Sequence, residues 1–179
     1  ENTKDIRVAS KNLVDLVNGI LDISLLESGS IKINNKNYET YEMFESVIEL
    51  SKSMVINKKV EIKSNIADNI PTVLYGDSER IKQVLLNLLS NAIKFTKDGS
   101  VELKVTATVS GSLCRLKMSV KDTGIGISKE NIHKIFTKFQ KLNDNNNSEG
   151  NGLGLVITQN LVELMNGKID VESEYGLGS

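Results

Sequence analysis

The chain has 179 residues, 39% of them apolar and 25% charged, the proportions of a soluble globular domain with at most an attached element. Lys plus Arg number 22 and Asp plus Glu 23, so the net charge of −1 predicts no electrostatic grip on nucleic acid or on an anionic membrane surface. No apolar run nears the roughly 20 residues that cross a bilayer, nothing at the start reads as a secretion leader, and one cysteine and one histidine exclude an internal disulfide and a histidine-built zinc site.

A reducing cytoplasm is therefore the expected compartment. From Ile6 the apolar residues fall at Ile6, Ala9, Leu13, Leu16, Ile20 and Ile23, alternating steps of three and four. Val14, Val17, Leu21 and Leu25 form a second stripe beside the first. So wide a face predicts a helix of a multi-helix bundle, ended by Ser28-Gly29. A strand is expected over Ile31 to Tyr38 and a helix over about Tyr41 to Asn57. Val60 to Ile66 alternates as a strand should. After Pro71 and Val73-Leu74, a long helix is expected from about Ser78 to Phe95, with Asp77 or Ser78 as its cap.

The clearest strands follow. Val101, Leu103, Val105, Ala107 and Val109 alternate with polar residues; so do Cys114, Leu116, Met118 and Val120 after the turn Ser110-Gly111-Ser112. This predicts an antiparallel hairpin with one buried face, covered by helices, and so a two-layer α/β sandwich. Cys114 is then a small core residue and not a reactive thiol. A short helix is expected from about Lys129 to Phe139. The run Asn143 to Ser148 has no apolar anchor and is expected to be mobile. A last helix from about Leu153 to Met165 and a strand with Ile169 and Val171 complete the pattern. Both ends read as cuts within a longer protein.

Three constellations carry chemistry. Within the long helix, Asn87, Asn91 and Lys94 fall within about 60° of one another, opposite Leu85, Leu89 and Ala92. Asn is a mediocre helix former, so two on one stripe need a reason, although a solvated face would also tolerate them. Asp122, by parity from Cys114, points with Val120 towards the helices. A carboxylate aimed there is costly unless paired; an adenine amine would pair with it, and Gly124 and Gly126 would let backbone approach a ring. A plain Asp-Gly turn is the simpler alternative. Third, Gly150-Asn151-Gly152-Leu153-Gly154-Leu155 opens a helix whose free N–H groups could seat phosphate. There is no Gly-Lys-Ser/Thr and no Gly-x-Gly-x-x-Gly, which removes P-loop, dinucleotide and protein-kinase loops.

In this order and spacing the segments resemble the ATP-binding domain of sensor histidine kinases, a Bergerat-type fold shared with gyrase, a heat-shock chaperone and a mismatch-repair ATPase. Gln83 to Thr96 looks like the family's asparagine box, Asp122 to Ile127 and Gly150 to Leu155 like its two glycine boxes, and Ile135 to Phe139 like its phenylalanine box. Gly76-Asp77 and the stretch from Leu21 to Gly29 also look typical. The resemblance implies a mixed, largely antiparallel sheet covered on one face by helices. It also implies a division into a partial dimerisation helix, 1–29, and a catalytic domain, 30–179.

By the same resemblance, Asn91 would ligate Mg2+ with Asn87 in support, and Asp122 would accept from the adenine amine. Lys94 and Phe95 would touch phosphate and nucleotide, and Gly152 and Gly154 would cradle the phosphates. Gly124, Gly126, Ile127, Phe139, Lys141, Gly150, Leu153 and Leu155 would also bind ATP, with the Asn-rich run as a lid. Asn151 stands where Thr or Ser is common, and Lys141 replaces a forked arginine with a point charge. Hydrolytic relatives carry a Glu where this chain has Asn87, an amide that cannot take a proton. Transfer to a protein acceptor is therefore implied. His133 lacks the acidic residue that follows an acceptor histidine, so the acceptor is expected on an upstream helix. Partners implied are ATP, a second copy through the bundle helix, and a response-regulator receiver domain. A pseudokinase scaffold is the alternative from another class.

Overall fold

A computed structural model of the chain describes residues 10, 13, 14, 17, 19–26, 28–56, 58–137 and 152–179. They divide into two compact units, one of Ile33–Lys129 with Asp170–Ser179 and one of Glu1–Lys32 with Glu130–Ile169.

The first unit carries most of the sheet. Strand β1 (Lys36–Glu39) leads directly into helix α2 (Thr40–Met54), followed by β2 (Lys59–Ile66), β3 (Val73–Gly76), helix α3 (Ser78–Phe95), β4 (Asp98–Ser110) and β5 (Leu113–Asp122). β4 is central: it pairs in parallel with β2, with α3 in the crossover between them, and antiparallel with β5, Val109 opposite Cys114 and Val101 opposite Asp122. β1 and β3 form a separate antiparallel pair. Two of the three pairings are therefore antiparallel, and α2 and α3 pack on the sheet and on each other. Met43, Phe44 and Val47 of α2 meet Leu85, Leu89 and Ile93 of α3 and Val101, Leu103 and Val105 of β4 in one buried cluster. This is the expected two-layer sandwich.

α3 runs over the span its periodicity predicts, because its start is fixed chemically. The buried Asp77 carboxylate accepts from the Arg80 N–H at 3.1 Å and from the Asn34 N–H at 2.8 Å. One side chain thus caps the helix, places an anion at its positive end and ties down the chain before β1.

Several expectations shift. β1 starts at Lys36 and not at Ile31, since Asn34 commits its N–H to Asp77 and leaves none for a ladder. α2 ends at Met54, where the β-branched pair Val55-Ile56 leaves the helix, rather than near Asn57, which lies outside the described residues. Cys114 faces the helices but is only half-buried, because the core thins towards its partner Val109, which is 51% exposed. No strand forms over Ile169 and Val171; the segment ends in a turn closed by the bridge between Glu174 and Gly178.

The second unit holds helical residues 19–26 (α1) and α4 (Lys129–Ile132), which begins at the last residue of the first unit, and α5 (Gly154–Leu164). The helix expected as far as Phe139 stops after one turn. Beyond Ile132 the bonds Lys134 N–H to Asn131 O and Thr137 N–H to Lys134 O are three-residue turns, not an α-helical ladder. α1 lies close against α5: a Cβ at Gly19 would come within 3.2 Å of Leu153 Cδ1. Ile23 is buried, while Leu13, Val14, Val17, Ile20, Leu21 and Leu25 are exposed. Ile6, Ala9 and Leu16 lie outside the described residues. No helix among the described residues is long and apolar enough to cross a membrane.

The double role of Asp77 gives a direct expectation. Asp77→Ala leaves two N–H groups without their acceptor and should cost about 2 kcal/mol in urea denaturation. Glu79→Ala, on the exposed face of the same turn, should change stability by less than about 0.5 kcal/mol.

Candidate functional site

Two polar features of the Ile33–Lys129 unit meet at the C-terminal end of α3. The first is the helix stripe. Leu85, Leu89 and Ala92 are buried, while Asn87, Asn91 and Lys94 are half-buried on the opposite side, as the 100° rotation per residue requires. Lys94 Nζ sits 4.8 Å from the centroid of the Phe95 ring, a cation–π contact on a ring that is itself partly exposed.

The second feature is the loop after β5. Asp122 is only 9% exposed, opposite the wholly buried Val101. Its Oδ1 accepts from the Gly124 N–H at 2.8 Å, and its own N–H donates to Ser179 O at 2.8 Å. Burial pushes its carboxyl above the ordinary 3.8; the N–H groups of Gly124 and Ser179 pull it back in part. A buried acid with so few partners is poised to accept one more donor.

The loop and the helix end are joined. Ile125 N–H donates to Phe95 O at 3.3 Å, and a Cβ at Gly124 would stand 2.6 Å from that same oxygen and 2.8 Å from Asp122 Oδ1. Only glycine allows this approach. On its other side the loop rests on the turn 173–179. Gly126, at φ +64°, lies where any Cβ would collide with Glu174 O. Ile127 N–H donates to Ser173 Oγ at 2.7 Å, Ser173 Oγ donates to Gly178 O at 2.9 Å, and Gly176 N–H donates to Ile125 O at 2.8 Å.

Asn87, Asn91, Lys94, Phe95, Asp122, Gly124, Gly126 and Ile127 thus belong to one unit. Gly152, Leu153, Gly154 and Leu155 belong to the other, where Leu153 is buried at the start of α5 and makes no side-chain cap to that helix end. Phe139, Lys141, Gly150, Asn151 and the Asn-rich run lie outside the described residues. Ser173 and the turn to Ser179 are the support that sequence reasoning missed. The pair Gly176 and Gly178 was the available signal, since both have positive φ in a tight turn.

Comparison with known proteins agrees with this geometry. A family described as histidine kinase-, DNA gyrase B-, and HSP90-like ATPase matches residues 76–179, and the chain belongs to that family, in its histidine-kinase branch. It is 36% identical over 177 residues to hybrid signal transduction histidine kinase B of Dictyostelium discoideum, covering 97% of this chain and 9% of that protein. It is 37% identical over 179 residues to the sensory/regulatory protein RpfC of Xanthomonas campestris pv. campestris, covering 97% of this chain and 24% of that protein. Among solved structures, full-length ShkA in complex with AMPPNP superposes with a TM-score of 0.84 at 31% identity, over 98% of this chain and 36% of that one. The chain therefore spans from 9% to 24% of the length of these curated relatives.

The raised pKa of Asp122 has a testable sign. A carboxyl whose folded pKa lies above its unfolded value favours the fold when protonated. Its contribution is therefore full below the ordinary value and lost as pH rises through the raised one. Without nucleotide, Asp122→Asn should be no less stable than wild type at pH 7, with the difference shrinking as pH falls through the carboxylate range. Urea midpoints at several pH values check this; a large loss at pH 7 would make Asp122 a structural residue.

Proposed function

We propose that the chain binds ATP with Mg2+ and transfers the γ-phosphoryl group to a histidine of a sensor histidine kinase, for relay to a receiver-domain aspartate. One observation carries the reading: a buried Asp122 carboxylate, on the side of the sheet that faces the helices, whose loop is tied through Ile125 N–H to Phe95 O at the end of α3. The AMPPNP complex of ShkA supports it by likeness.

In this reading Asp122 accepts from the exocyclic amine of adenine, and Gly124, Gly126 and Ile127 let the ring lie against backbone. Phe95 covers the nucleotide and Lys94 reaches phosphate. Asn91 offers a neutral amide oxygen, a hard donor that suits Mg2+, and Asn87 supports it. Among the described residues no cluster of three or more His, Cys, Asp or Glu could hold a metal. That donor set fits a cation held by the triphosphate, water and one amide oxygen. When bound, Mg2+ supplies neutralisation of charge on the phosphates. The phosphate roles of Gly150, Gly152, Leu153, Gly154, Leu155 and Lys141, and the nucleotide contact of Phe139, rest on the family resemblance.

Chemically, a neutral imidazole nitrogen attacks the γ-phosphorus as the bond to the bridging β–γ oxygen breaks, and ADP leaves with that electron pair. The chain's part is placement and charge neutralisation. Asn87 cannot take a proton from water, so hydrolysis lacks its base. His133, exposed in the turn after α4, is not the acceptor in this reading. The exposed apolar residues of α1 support its assignment, with residues 1–29, to a bundle helix that pairs with a second copy.

Mg-ATP at a hundredfold excess over its Kd should stabilise the chain by about 2.7 kcal/mol. Asp122→Ala should remove most of that gain and Asn91→Ala its magnesium-dependent part. A melting curve indifferent to nucleotide would leave a scaffold that signals by conformation. With labelled ATP the chain alone should gain no acid-labile phosphate, whereas joining it to an upstream acceptor helix should give labelling there. Label on His133 would overturn the assignment of the acceptor.

A further inference from the structure

The last four carbonyls of an α-helix have no partner within the helix, and burying one unsatisfied is costly. In α3 all four are accounted for, from three directions. Ala92 O accepts from the Thr96 N–H at 3.0 Å and from the Thr96 hydroxyl at 2.8 Å. Phe95 O accepts from the Ile125 N–H. The two between them share one cation: Lys58 Nζ donates to Ile93 O at 2.6 Å and to Lys94 O at 2.9 Å, and reaches Thr96 O at 3.3 Å. Three donors of one ammonium thus meet three carbonyls. Lys58 is half-buried and lies between α2 and β2, 35 residues from Ile93, so this cap is made by a distant part of the chain. No carboxylate among the described residues forms an ion pair with it.

We propose that Lys58 is a positioning residue for the phosphates of the nucleotide. Its ammonium fixes the turn that carries Lys94 and Phe95, and it offsets the negative potential of that helix end. This rests on the reading of α3 as part of a nucleotide site. A helix C-terminus carries about half a negative charge, which repels anions. ATP brought to the Lys94–Phe95 turn would meet that charge unless a cation occupied the carbonyls. With Lys58 already on Ile93 O and Lys94 O, the Lys94 side chain lies over the Phe95 ring. Lys58 touches α3, and through α3 it sets how strongly the site holds negative charge.

The effect should therefore grow with the charge of the ligand, which separates it from loose packing. Lys58→Met keeps the aliphatic stem and removes the ammonium. Calorimetric titration should show Kd for Mg-ATP raised about tenfold, ADP affected less, and adenosine, measured by competition, changed by less than about twofold. Lys58→Arg should recover most of the loss for ATP. Should Lys58→Met not fold, Lys58→Gln, which keeps a neutral donor for the carbonyls, carries the same expectation. Equal losses for adenosine and ATP, or none for ATP, would reduce Lys58 to a packing residue. Wild-type protein that binds no nucleotide at all would overturn the site reading, and this proposal with it.

Discussion

The end of α3 is where the demands of fold and site coincide. Its last carbonyls must be satisfied in a half-buried setting, and Thr96, Lys58 and Ile125 each take a share. Each of these bonds also positions something. Thr96 turns the chain towards β4, which begins at Asp98. Lys58 anchors the connection between α2 and β2. Ile125 docks the loop after β5, and with it Asp122. The polar stripe of α3 and the buried carboxylate are held in a constant relation because both hang on one helix terminus.

The same arrangement explains a local cost. Asp122 occupies a position in β5 where alternation would place an apolar residue, opposite Val101 and one pleat beyond Val120. Burial disfavours its ionised form, and two backbone N–H groups offset only part of that. A fold optimised for stability alone would not keep a carboxylate there; in the proposed reading it is kept to receive the adenine amine. Gly124, close against Phe95 O, and Gly126, close against Glu174 O, place the loop that carries the acid between the end of α3 and the turn 173–179.

Much of this could be read from residues alone, and the reason is periodicity. α3 showed its two faces through the 3.6-residue repeat, and the hairpin showed its buried face through alternation. Counting parity along β5 was enough to turn Asp122 inward. What could not be read depends on pairings without a period. Nothing around Lys58 marks it as the cap of a helix that starts twenty residues later in the chain. Ser173 gives no hint that it will hold Ile127. Asn34 looks like part of a strand until its N–H is found on Asp77. Ile169 and Val171 have the composition of a strand but no ladder to join. Elements follow from local chemistry, whereas supports follow from where distant segments meet.

One of those supports affects how the protein opens. The bond between Ile127 and Ser173 joins positions 46 residues apart, and the buried cluster of α2, α3 and β4 includes neither of them. Few apolar contacts hold the turn 173–179: Tyr175 and Leu177 are among the most exposed apolar residues described. Such a segment belongs to the low end of the range of local opening free energies, well below that of the core strands. When it lifts away, the loop that carries Asp122 loses its backing while α2, α3 and β4 remain packed. If Asp122 holds nucleotide as proposed, binding competence and foldedness are then two different equilibria in one chain. A substitution in the turn could empty the site while far-ultraviolet circular dichroism reports an intact protein.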